Sequence, residues 1–273
     1  MINFSTNNCV LKSIKPSPIL YSCYTAKSRS GENFVSDHCI CYVQSGRLEF
    51  QLPEQKVFVA AGEAFFVERN LLAKATKYPA DGGEFKSISI FFTQDTLKEI
   101  ALEKKISTVV HQHNQLPVIK LQIDGLFINY FESLPAYEGA SGAESLIRLK
   151  VEEGILLLLN RHSELKNILF DFSEPGKIDL ESFMNKNFRF NVEMKRFATL
   201  TGRSLATFKR DFAKIFAISP NRWLQKKRLE EARYLIKEKG RKPSDVYLEV
   251  GFEDLSHFSF AFKKNFGVPP SLV

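Results

Sequence analysis

Two blocks with helix-turn-helix spacing, joined by one long basic helix, fill the last third of this 273-residue chain and constrain its fold more than any other feature. The first runs from Val192 to Phe216 and the second from Pro243 to Pro270. In each, a short apolar-patterned helix meets a turn carrying a glycine, Gly202 or Gly251. A second helix then begins behind a capping residue, Ser204 or Asp254. This layout braces a recognition helix for the major groove. One such unit is a weak signal; two in tandem at this spacing are a strong one.

Charge follows the motif. From Lys177 to Val273 there are 20 Lys+Arg and 11 Asp+Glu, a balance of +9 in a chain of net charge +7, so the first 176 residues carry −2. Lys and Arg gain affinity for a polyanion by displacing counterions from its phosphates. Duplex DNA is therefore the expected partner of the C-terminal part.

The N-terminal part reads as β. Cys39–Val43 and Arg47–Leu52 flank Ser45-Gly46, a hairpin signal, with Leu48, Phe50 and Leu52 alternating against polar neighbours. Lys56–Val59 and Ala64–Val67 lie either side of the turn Ala61-Gly62-Glu63, and Ser87–Phe92 makes a further strand. Many short strands with frequent turn signals predict a small barrel or sandwich, in an order similar to a cupin-like barrel. Helices are predicted at Asp95–Leu102, at Val118–Ser133 (Ile119, Ile123, Phe127 and Tyr130 forming one stripe) and at Ala143–Asn160. The last is apolar on more than one face, so it is either sandwiched within its domain or buried against a partner. Leu146, Leu149 and Glu153 share a face and Leu156 extends the apolar surface, which makes this helix the expected homodimer seam. Ser173–Gly176 breaks the pattern. The expected fold class is α+β: an N-terminal cupin-like β-barrel with dimerisation helices for sensing (1–165), a linker (166–176), and an all-α double helix-turn-helix domain (177–273).

Catalytic chemistry is not expected. A metal-binding cupin needs a His-x-His with a further Glu and His. The strands offer His38, while His111-Gln-His113 sits in a polar loop beyond them, so no metal site is expected. Neither a Gly-rich phosphate loop nor a nucleophile elbow is present, and Glu152-Glu153 reads as a solvated helix edge, so no enzyme and no cofactor is expected. Cys9, Cys23, Cys39 and Cys41 form no CxxC pair and read as reduced thiols, with Cys39 and Cys41 on one side of a strand. The N-terminus lacks a signal-peptide pattern, and the apolar run Ile155–Leu159 is far short of a membrane span. The expected location is the cytoplasm, with no membrane partner.

The segment Gly251-Phe-Glu-Asp-Leu-Ser-His-Phe-Ser-Phe-Ala-Phe-Lys-Lys-Asn-Phe-Gly-Val-Pro-Pro270 resembles the C-terminal signature of the AraC/XylS family of bacterial transcription regulators. The likeness runs back through Leu235, Ala232 and Arg228-Leu229 to Ser204–Phe212. Tyr42–Gly62, Val67–Asn70 and Lys86–Phe92 are similar, more loosely, to the branch that includes activators of type III secretion. The resemblance implies a bacterial activator that works with RNA polymerase. Its N-terminal domain would answer to a small-molecule effector or, alternatively, to a protein antagonist or partner.

Within the first unit, Phe208 and Phe212 stand i to i+4 and should pack against Phe197 and Leu200. Ala206, Lys209 and Arg210 are left outward behind Ser204, and the resemblance places base or backbone contacts there. Arg210 suits guanine, since its fork meets O6 and N7 together, a pairing worth roughly 1–3 kcal/mol; a phosphate contact is the alternative. In the second unit Phe258, Phe262 and Phe266 should turn inward. The outward set is Leu255, Ser256, Ser259 and Phe260, with Lys263 a further DNA contact and His257 facing backbone phosphate. Many family members carry Arg where this chain has Phe260, which can touch a thymine methyl or wedge against sugar but cannot read guanine. The connecting helix, predicted over Pro220–Lys239, buries Trp223, Leu224, Leu229, Ala232 and Leu235. Lys226, Lys227 and Arg228 are phosphate candidates, with an ion pair to an acid of the second unit as the alternative for Arg228.

Overall fold

The structure, a computed structural model, describes residues 17–29, 33–106, 116–138 and 142–273. The N-terminal part contains strands β1 (Ile19–Tyr24), β2 (Ser28–Arg29), β3 (Phe34–Val35), β4 (His38–Ser45), β5 (Arg47–Gln51) and β6 (Lys56–Ala60). These continue as β7 (Ala64–Val67), β8 (Leu71–Leu72), β9 (Lys74–Tyr78) and β10 (Phe85–Phe92). After them come α1 (Gln94–Glu103), β11 (Val118–Leu121), α2 (Gly125–Ser133), α3 (Glu144–Arg161) and the short α4 (Lys166–Leu169).

Two antiparallel sheets, in the orders β1-β10-β4-β7-β11 and β2-β9-β5-β6, enclose one core, and β3 pairs with β8 beside them. Strand alternation decides which side chain goes where. Cys39, Cys41 and Val43 of β4 point between the sheets with Leu48, Phe50, Phe65 and Phe85. Ile40 points the other way, with Phe66, Ile88 and Ile90, onto Leu97, Phe127, Phe131, Ile155 and Leu158 of the helices. Both faces of the first sheet are therefore buried, which explains the nearly continuous apolar runs of β4 and β7. Cys39 and Cys41 are free and buried, and Cys23 is free and exposed.

Ser45-Gly46 does not form a hairpin. The strand before it pairs with β10 and β7, and the strand after it pairs with β6 and β9, so the turn carries the chain from one sheet to the other. Gly46 sits at φ 81° against the Tyr78 carbonyl, where a side chain has no room. The helix predicted from Val118 is also shorter than its pattern. Val118–Leu121 pairs with β7 along its free edge, Ile119 opposite Phe66. The helix waits for Asp124, whose carboxylate accepts from the Leu126 and Phe127 amides. An edge strand with an open ladder outcompeted a local helical stripe. The linker expected from residue 166 also begins later, because Ile168, Leu169 and Phe170 are part of the N-terminal core. His111, His113 and Cys9 lie outside the described residues.

The C-terminal part is helical: α5 (Leu180–Asn187), α6 (Met194–Leu200), α7 (Leu205–Phe216), α8 (Pro220–Lys237), α9 (Pro243–Glu249) and α10 (Leu255–Phe266). It has two cores strung along α8. Trp223 and Leu224 enter the first with Phe197, Phe208 and Phe212. Leu229, Ala232 and Ile236 enter the second with Val246, Phe258 and Phe262. Phe34 and Leu72, from the β3–β8 pair, also reach into the first of these cores. Among the described residues no helix is long and apolar enough to cross a membrane.

Candidate nucleic-acid interface

Each unit builds an exposed helix start on a buried aromatic stripe. In the first, the Ser204 hydroxyl accepts from the Thr207 amide at 3.2 Å, satisfying one of the unpaired donors at the start of α7. Phe208 and Phe212 are fully buried, and the Phe212 ring meets the edge of Trp223 at 5.6 Å. The helix closes at Ala217, in a left-handed conformation. With the phenylalanines committed inward, Ala206, Lys209 and Arg210 are exposed, as is Ser204.

The Nε of Arg210 lies 3.6 Å from the Asp211 carboxylate. That carboxylate is held more closely by Arg203 at 3.2 Å, and the same arginine keeps the Asp211 carboxyl below the usual carboxylate range. Arg203 also donates to the carbonyls of Ile178 and Thr201, so its guanidinium is spent on the turn. Arg210 is left available to a ligand.

In the second unit, Asp254 caps α10 by accepting from the His257 amide at 2.6 Å, and Gly267 ends the helix at φ 78°. Phe258 and Phe262 are buried and Phe266 is half-buried. Leu255, Ser256, His257 and Lys263 are exposed, and Phe260 is 69% exposed. Ser259 is half-buried and donates to the Leu255 carbonyl at 2.8 Å, so its hydroxyl is already occupied inside the helix. The His257 ring meets Phe252 at 5.8 Å.

Arg228 departs from both sequence expectations. Its guanidinium donates to the Phe188 and Phe190 carbonyls at 2.8 and 2.9 Å, and to the Gly251 carbonyl at 3.0 Å. It is half-buried, with no hydrogen bond to an acid among the described residues, and burial lowers its pKa to about 10. It thereby ties the first unit to the turn of the second. Gly251 has φ 102°, and a Cβ there would lie 2.8 Å from the Arg228 Nε and 2.7 Å from the Arg189 carbonyl oxygen, so the site accepts only glycine. The signal was present: Leu224, Arg228 and Ala232 stand at i, i+4 and i+8, which puts the arginine on the buried stripe of α8. Lys226 and Lys227 are placed otherwise, the first exposed and 3.9 Å from Glu230, the second over the Trp223 ring.

On α3, Val151, Ile155 and Leu158 are buried, while Leu146, Leu149 and Leu156 are 52%, 59% and 42% exposed. Glu153, exposed on the same side, pairs with Lys150 at 2.8 Å. Ile155, beside Leu156 in the same apolar run, is core.

Two capped recognition helices on a basic, all-helical domain define a helix-turn-helix DNA-binding regulator. Residues 38–168 match the ExsA N-terminal regulatory domain, and residues 197–273 match a helix-turn-helix domain. The thermoregulatory protein LcrF of Yersinia pestis is 25% identical over 236 residues, covering 83% of this chain and 84% of its own. The HTH-type transcriptional regulator ExsA of Pseudomonas aeruginosa is 26% identical over 231 residues, covering 83% and 82%. A solved structure of an apo ToxT variant from Vibrio cholerae strain SCE256 aligns with TM-score 0.46 and 12% identity, over 93% of this chain and 96% of its own. The chain thus carries an AraC-type helix-turn-helix DNA-binding domain behind an ExsA-type regulatory domain, and the relatives it matches along most of its length are transcription regulators.

Proposed function

We propose that α7 and α10 enter successive major grooves on one face of an operator. The observation that carries this reading is the pair of exposed helix starts on a domain of charge +9. Ser204, Ala206, Lys209 and Arg210 form the first contact set; Leu255, Ser256, His257, Ser259, Phe260 and Lys263 form the second. Arg210 reads a guanine. Phe260 supplies apolar contact, and Lys209 and Lys263 supply charge to the phosphates. The chain acts in the cytoplasm on promoters, with RNA polymerase as its partner. It pairs with a second copy through the leucine face of α3, whose three leucines are only partly covered in the monomer.

Control comes through the N-terminal domain, by a small effector or by a protein. The second source is favoured by one observation: the space between the sheets is occupied by Val43, Leu48, Phe50, Phe65 and Phe85, all buried against one another. The test of the DNA reading is a footprint of the full chain on a duplex it selects from a random library. Two protected grooves about one helical turn, ~10 bp, apart support it, with affinity falling steeply as salt rises. A single protected groove, or binding indifferent to salt, overturns it.

A further inference from the structure

The N-terminal domain reaches both helix-turn-helix units, and it reaches them differently. Phe34 and Leu72 insert into the core of the first unit, and Arg196 of α6 covers the Phe34 ring at 4.5 Å. Lys74, two residues beyond Leu72, reaches the second. Its Nζ donates to the carbonyls of Leu248 and Glu249 at 3.1 and 2.8 Å. These are the closing carbonyls of α9, the support helix of the second unit, where the helix's own N–H donors run out; that of Leu248 also accepts from the Gly251 amide at 3.3 Å. A lysine at this end also meets the negative pole of the helix dipole. The carboxylate of Glu249 is taken by Arg241 at 2.6 Å, so Lys74 engages the helix end rather than an acid.

The surrounding contacts converge on the same joint. Asn33 of the N-terminal domain donates to the Asn191 carbonyl at 3.2 Å. Asn191 donates from its side chain to Glu253, in the turn of the second unit, at 2.6 Å. Arg228 closes the ring on the Gly251 carbonyl. Three bodies thus meet here: the N-terminal sandwich, the first unit and the second. The outward residues of α7 and α10 take no part in these contacts and stay open to DNA.

We propose that Lys74 is a positioning residue for DNA recognition: by holding the end of α9 it lets the N-terminal domain set where α10 stands relative to α7. The inference rests on the two-groove reading above. Because the Lys74 contact falls on the second unit and the Phe34–Leu72 contact on the first, a change at Lys74 is transmitted to the second half of the operator. Loss of the lysine should therefore weaken the second half-site and spare the first.

The test uses the full chain, wild type and Lys74→Met, on the duplex selected by the wild type, with its half-sites mapped by footprint. Each protein is also titrated on duplexes in which one half-site or the other is scrambled. Lys74→Met should bind the intact duplex about tenfold more weakly, the scale of one charged hydrogen-bonded contact. It should match the wild type once the second half-site is scrambled and keep the wild-type salt slope. Equal losses on all three duplexes, a reduced salt slope (the mark of a direct phosphate contact), or no loss at all would overturn the proposal. If Lys74→Met lacks the wild-type circular dichroism spectrum, Asn33→Ala, which removes the neighbouring tie to Asn191, is read on the same duplexes against the same expectations. Failure of the wild type itself to select any duplex would overturn the two-groove reading, and with it the role of Lys74, and is told apart from the outcomes above by the wild-type titration.

Discussion

The two helix-turn-helix units share a scaffold and differ in what they show to DNA. Each begins its recognition helix behind a side-chain cap, buries phenylalanines four residues apart, and ends in a left-handed residue. The first then presents Lys209 and Arg210, while the second presents Leu255 and an exposed Phe260. The lesson is that packing and reading are separable: the inward stripe fixes the fold, and the outward stripe is free to change chemistry. In the proposed reading the first unit offers hydrogen-bond donors to base edges, and the second works through shape, apolar contact and charge.

The shared scaffold is tested by the largest effects. Phe208→Ala and Phe258→Ala should each cost about 3–5 kcal/mol of stability, because each empties a fully buried ring site. Thermal or denaturant melts that show one of them to be nearly neutral would break the equivalence of the two units. Next in size, Leu149→Lys puts a charge on the leucine face of α3 and should leave a folded monomer in sedimentation. Affinity for a two-site operator should then drop by about 10²-fold as avidity is lost. The monomer also exposes the difference between the units without duplication. A variant that stays dimeric moves the interface elsewhere, and one that unfolds assigns Leu149 to the core.

Arg210→Ala should weaken binding to the selected operator by roughly 1–3 kcal/mol and relax the base preference at one position. Phe260→Ala should leave the melt unchanged and alter affinity by less than about 1 kcal/mol, since an exposed ring contributes little to the fold. Unfolding of that variant would show that the second unit is built differently from the first.

The smallest effect concerns pH. Burial, with Arg228, Arg189 and Arg29 nearby, lowers the Lys74 pKa to about 7 against the opposing pull of Glu249. Its unfolded value is 10.5, so across that window the unfolded chain binds a proton that the folded chain does not. Stability should therefore rise with pH from about 7 and be least below it. Lys74→Met should lack this component in paired melts, and identical pH slopes would contradict it.

Much of the C-terminal domain was legible in the sequence because its rules are local: Ser204 and Asp254 announce caps, and phenylalanines at i, i+4 announce a buried face. The outward residues followed by subtraction. What was not legible depends on partners distant in the chain. Val118–Leu121 carries a plausible helical stripe and becomes a strand only because β7 offers an open edge. Ser45-Gly46 looks like a hairpin until the pairings show that its flanking strands belong to different sheets. The spacing of Arg228 put it on the buried stripe of α8, but not what it holds there, because those carbonyls lie 23 to 40 residues away. Lys74 gave no signal, since its partners are 174 and 175 residues along the chain.

The central claim is that one unit reads bases by hydrogen bonding and the other does not. Its most direct test is the affinity of wild type and Arg210→Ala for a panel of duplexes carrying every single-base substitution across both half-sites. The account predicts steep discrimination in the half-site under α7, including one guanine whose preference vanishes in Arg210→Ala. It predicts shallower discrimination, weighted toward thymine, under α10. Equal discrimination in both halves, or a uniform loss for Arg210→Ala on every duplex, would contradict it.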